Sequence, residues 1–114
     1  MSSERRLNQR LKVYVPVRVS RPGSPVVETL AKDIGVGGLR CLSPSVTPVG
    51  SEMALEISLP GSPDVAFVRG RTVWFRVLPD SGQFDLGIVF VEVSERTQRL
   101  LSTYCEHCSA LTPA

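Results

Sequence analysis

Gln83-Phe84-Asp85-Leu86-Gly87-Ile88-Val89-Phe90-Val91-Glu92-Val93, followed at once by Ser94-Glu95, is where the hydrophobic period of this chain changes. In residues 83–93 the apolar side chains of Phe84, Leu86, Ile88 and Phe90 recur at every second position, the period of a strand with one buried face. From Ser94 onward the spacing is helical. Ser94 suits a helix N-cap and Glu95 favours the positive end of the helix dipole. Leu100, Leu101, Tyr104, Cys105, Cys108 and Leu111 then share one helical face. A strand that runs into one amphipathic helix, residues 94–110, needs an apolar surface from the rest of the chain to cover that helix.

The upstream segments supply it as strands. Residues 12–20 alternate, with Val13, Val15, Val17 and Val19 on one face, and Pro16 assigns this strand to a sheet edge or an unpaired position. Arg21-Pro22-Gly23-Ser24-Pro25 turns the chain into a return strand at 26–33. A short strand at 39–42 and a proline-containing loop at 43–50 follow. Residues 52–59 bury Met53, Leu55, Ile57 and Leu59. Residues 65–77 are too long for one flat strand, and a bulge or bend is expected at Gly70. Six short strands and one helix predict a mainly β domain: a six-stranded antiparallel barrel over 12–93, plugged by the helix at 94–110.

Composition agrees with one ordinary globular domain: 114 residues, 42% apolar and 21% charged. The net charge of +2 is unevenly spread. Residues 1–21 have Arg5, Arg6, Arg10, Lys12, Arg18 and Arg21 against Glu4 alone, which gives them +5 and leaves −3 for the remainder. An anionic partner is expected to dock on that segment. Residues 1–11 read as a flexible basic arm, with only Leu7 and Leu11 as sizeable apolar anchors. No apolar run is long enough to span a bilayer and no signal-peptide core follows the charges, so no membrane insertion and a cytoplasmic location are expected. Three cysteines do not make a disulfide framework.

Two stretches carry chemistry. Arg5-Arg6-Leu7-Asn8-Gln9-Arg10 precedes the first strand, and Asp33-Ile34-Gly35-Val36-Gly37-Gly38 lies between the second and third. Arginine forks pair with phosphate oxygens and stack on flat rings. Glycines allow close backbone approach, and an aspartate accepts from a purine N–H edge. Together they suit a nucleotide. The bland alternatives are a solvated basic tail and an ordinary tight turn. Arg40, one strand residue past the turn, divides evenly between facing the ligand and plain exposure. Trp74 reads first as a packed barrel residue and second as a stacking platform for a base. Cys105-Glu106-His107-Cys108 has soft-metal ligand types, but only Cys41 remains as a further thiol and the two helix cysteines fall on the apolar face, so no metal is expected. One histidine without a nucleophile motif argues against an enzyme, and a basic arm without accompanying aromatics argues against nucleic acid.

An RxxxR motif (Arg6 and Arg10) before the first strand, a (D/N)xSxxG-type turn from Asp33 to Gly38, a valine-tryptophan strand and a Gly87-Ile88-Val89-Phe90 strand running into a helix together resemble the PilZ domain family over roughly residues 4–110. The resemblance implies a bacterial cyclic di-GMP receptor on a six-stranded barrel with a C-terminal helix, with no other cofactor. By that resemblance Arg6 and Arg10 clasp phosphates and stack on guanines, with Arg5 as an additional arginine. Asp33 accepts from guanine, and Gly35, Gly37 and Gly38 form the turn. Gly35 stands where the family most often has serine, and one lost hydroxyl bond costs about 1 kcal/mol, roughly fivefold in affinity. Such a receptor signals to a separate, unidentified effector protein. The alternative is a PilZ-type interaction adaptor that binds nucleotide weakly or not at all.

Overall fold

The computed structural model describes residues 11–45 and 47–111, with side chains described from 14 to 106 apart from 46. Strands β1 (Leu11–Ser20), β2 (Val27–Ile34), β3 (Gly38–Ser43), β4 (Glu52–Ser58), β5 (Val65–Leu78) and β6 (Gln83–Val93) close into an antiparallel barrel in the order β1-β2-β3-β6-β5-β4. Helix α1 (Glu95–Leu111) follows. The period-of-two residues line the interior: Val15 and Val17 of β1, Leu39 and Cys41 of β3, Met53, Leu55 and Ile57 of β4, and Leu86 and Ile88 of β6. Their burial, at roughly 25 cal/mol per Å² of apolar surface, is the main drive to closure.

The helix begins as its sequence dictates. Ser94 Oγ accepts the Thr97 N–H at 3.1 Å, satisfying one of the free donors of the first turn. Leu101 is fully buried in the barrel core, with Leu100 and Tyr104 packed beside it. Arg96 reaches Asp64 in the β4–β5 loop at 3.7 Å. Because α1 follows the end of β6, it lies at the barrel end that also holds the start of β3 and β5. The opposite end holds a cavity of about 490 Å³ between β2 and β3, lined by Val27, Cys41, Ser43 and Leu86 among others. Among the described residues no helix is long and apolar enough to cross a membrane.

Three sequence expectations take a more specific form in the barrel. Pro16 is not on a sheet edge, since the barrel is closed; it pairs with Leu30 of β2, while the β1–β4 ladder begins only at Val17. That leaves it unpaired on one side, where a missing N–H costs no ladder bond. Gly70 does sit at a register break with β6, but between Arg69 and Gly70 the extra residue is Val91 on β6, and β5 keeps its buried parity through Thr72. A Cβ on Gly70 would press on the Ile88 and Leu55 side chains, so it is a point of close core contact. Trp74 packs on the barrel, on its outer side. A second register break between Thr72 and Trp74 turns its ring out of the barrel interior, where it lies over Gly87 and is 37% exposed.

Candidate ligand-binding site

The glycine turn is built by its neighbours. The Gly35 N–H donates to the Gly38 carbonyl at 2.9 Å, and the Phe90 N–H donates to the Gly37 carbonyl at 2.9 Å, so the turn is fastened to β6. A Cβ on Gly38 would collide with the Ile88 carbonyl oxygen, which fixes glycine at this position for strand approach alone. Gly37 and Val36 are exposed, whereas Gly35 is buried. Among the described residues, the glycines with a left-handed backbone are Gly23, Gly50, Gly61 and Gly82, none of them in this turn.

The turn also marks where the chain enters the barrel. Leu11 pairs with Ile34 and Lys12 with Asp33, so the first residues of β1 run directly beside it. Arg5, Arg6 and Arg10, and with them the basic arm, lie outside the described residues. The register therefore gives the point at which that segment joins the barrel.

Below the turn, the outer face holds a network of charges. Arg40 Nε lies 3.0 Å from Asp33 Oδ2, and its Nη1 lies 3.9 Å from Asp85 Oδ2. Lys32 Nζ donates to Asp85 Oδ1 at 2.9 Å, and Arg76 Nη2 donates to Asp85 Oδ2 at 2.8 Å. Asp85, although on the outward side of β6, is 0% exposed because the three cations roof it. Burial alone would push its pKa up. The hydrogen bonds from Arg76 and Lys32 and the charge of Arg40 outweigh that, and its pKa is lowered. Three cations against two carboxylates leave this face with one net positive charge. Trp74 lies beside it, since Gly87 is flanked by Arg40 on β3 and Trp74 on β5.

A depressed carboxylate pKa means that the ionised form is favoured by folding. Its contribution to stability is complete above the unfolded value of about 4 and disappears as pH falls through the lower folded value. Thermal melts of the wild type should therefore show a declining Tm on the acid side of about pH 4, and Asp85→Asn should flatten that decline. An acid limb of identical slope in the variant would assign the effect to other carboxylates. Glu52, lowered by hydrogen bonds from Arg69 and Arg71 on the far side of the barrel, is the first of these.

Of the residues read from the sequence, Asp33, Gly35, Gly37, Gly38, Arg40 and Trp74 fall on one continuous outer region. Sequence reasoning missed Lys32, Arg76 and Asp85. Asp85 falls at a solvent-facing parity, where an acid is unremarkable, and only the order β2-β3-β6-β5 brings its partners together. Cys41 is inert by comparison: burial, with Asp85 adding to it, pushes its thiol up to about 12. Cys105 is half-buried, and the side chains of His107 and Cys108 lie outside those described.

A PilZ domain family model matches residues 4–107. Among solved structures, the chain is similar to the Bacillus subtilis inhibitor of motility MotI/DgrA at 17% identity and TM-score 0.80, covering 92% of this chain and 51% of that one. It thus spans about half the length of that protein. It is similar to the PilZ domain with c-di-GMP of YcgR from Escherichia coli at 18% identity and TM-score 0.66, covering 85% and 86% of the two chains. Borreliella burgdorferi PlzA in complex with c-di-GMP aligns at 17% identity and TM-score 0.56, covering 91% of this chain and 37% of that one. At such identities the shared property is the fold. No curated protein sequence matches the chain.

Proposed function

The chain belongs to the PilZ domain family, and we propose that it is a cyclic di-GMP receptor, not an enzyme, that signals to a separate effector protein. The observation that carries this reading is the β1–β2 register: Leu11 opposite Ile34 brings the chain directly after Arg10 against the turn that follows Asp33. Two phosphates and two guanines then have arginines on one side and an acceptor, the open Gly37 and an aromatic face on the other. Residues 1–10, ahead of β1, contain too little apolar surface to offset an ordering cost of ~1–2 kcal/mol per residue. Ligand phosphates that pair with Arg5, Arg6 and Arg10 supply the missing term, so binding and ordering of the arm become one coupled event.

The second reading is an interaction adaptor with little nucleotide affinity. Gly35 in place of serine favours it, and the inhibitor of motility among the similar structures fits a domain that acts by engaging a protein. Intact Arg6 and Arg10 favour the receptor. Calorimetry separates the two. Cyclic di-GMP should bind with micromolar or tighter affinity, and more tightly than linear GMP or cyclic AMP, which offer only one phosphate and one base. No detectable heat at millimolar ligand would transfer the weight to the adaptor.

A further inference from the structure

Strand β5 outlasts its neighbour. The β4–β5 ladder ends at the Glu52–Arg71 pair, and the bonds of Gly50 and Ser51 with Thr72 close it. From Val73 to Leu78 the strand pairs only with β6, so among the described residues its other side is an open edge with unpaired backbone groups. Phe75 and Val77, 40% and 61% exposed, share one face of that edge opposite Leu86 and Phe84, and Val73, the extra residue of the register break, is 44% exposed just before them. Folded proteins usually guard such an edge with charge. Here the one charge, Arg76, is drawn back over β6 by its 2.8 Å bond to Asp85 and leaves the free side undefended.

We infer that this edge pairs with the same edge of a second copy of the chain, antiparallel about a two-fold axis through Phe75. The sequence Val73-Trp74-Phe75-Arg76-Val77 is complementary to itself in that register only. Phe75 meets Phe75 and Val73 meets Val77, which joins the apolar groups across the axis, while the side chains of Trp74 and Arg76 stay over Gly87 and Asp85 of β6. An axis through Arg76 would oppose two like charges. An axis through Trp74 would need Thr72, whose backbone is already bonded to Gly50 and Ser51. The pairing is five residues long, because the next pair would need Thr72, so the interface is small and its affinity belongs to the weak, concentration-dependent class. It is independent of the ligand reading, since it leaves the glycine turn free.

Sedimentation equilibrium of the full chain without ligand, from micromolar to millimolar concentration, tests this. The expected result is a reversible monomer–dimer equilibrium. Val77→Lys sets a cation against Val73 twice per dimer and should weaken association more than tenfold, whereas Phe67→Lys, equally exposed but in the stretch of β5 that pairs with β4, should leave it unchanged. Amide exchange of the wild type should slow over residues 73–78 as concentration rises, a reading that needs no variant. A monomer at every concentration, a dimer indifferent to Val77→Lys, or equal disruption by Phe67→Lys would each overturn the proposal.

Discussion

Replacing Arg6 or Arg10 with alanine is expected to lower cyclic di-GMP affinity by about 100-fold or more, because each arginine removes a charge-assisted, two-pronged contact worth roughly 3 kcal/mol. The Tm of the free protein should change by no more than a degree or two. Among the described residues the core runs from Val15 to Leu101, and the arm's few apolar groups give it little stability to lose. A larger drop in Tm would mean that the arm packs on the barrel before ligand arrives. Amide exchange over residues 4–11 with and without cyclic di-GMP decides the same point independently: protection already present in the free protein would exclude ordering on binding.

Much of this architecture is legible from local rules. Alternation in residues 12–20, 52–59 and 83–93 reads directly as one-sided strands, and Ser94 announces the helix by its capping chemistry. A strand too long for one parity does change face, but at Val73 and not at Gly70, where the extra residue is on β6. What local rules do not carry is the effect of closure. Trp74 has the parity of an interior residue counted from Ala66 and Val68, and only the second register break at Thr72 turns it outward onto Gly87. Asp85 looks like a surface acid in its own strand, yet Lys32 and Arg76 reach it from strands that lie 53 and 9 residues away in sequence. The candidate site is therefore half visible in advance: the turn and its aspartate are contiguous motifs, while the charge network beneath them is a product of strand order.

The turn glycines separate by mechanism, and this gives the largest stability effect expected. Gly38→Ala places a methyl against the Ile88 carbonyl oxygen, and the Val89 Cα lies 3.3 Å away, so both obstacles are backbone and neither can rotate aside. Relief requires β3 to move off β6 at the Gly38–Val89 pair, which also strains the bond from Phe90 to the Gly37 carbonyl. Overpacking of this kind costs about 2–3 kcal/mol, roughly 10 °C or more in Tm for a domain of this size. Gly37→Ala is the matched control, since a Cβ there meets nothing within 4 Å and its backbone is not left-handed, and stability should change by less than about 0.5 kcal/mol. Thermal melts of the two variants, followed by calorimetry with cyclic di-GMP, distinguish two origins for the closing glycine of the motif. A destabilised Gly38→Ala protein would identify that glycine as a strand-packing requirement that positions the turn. An unaltered Tm with lost binding would instead assign it to direct approach of the ligand, and contact between β3 and β6 would no longer be the reason that glycine occupies this position.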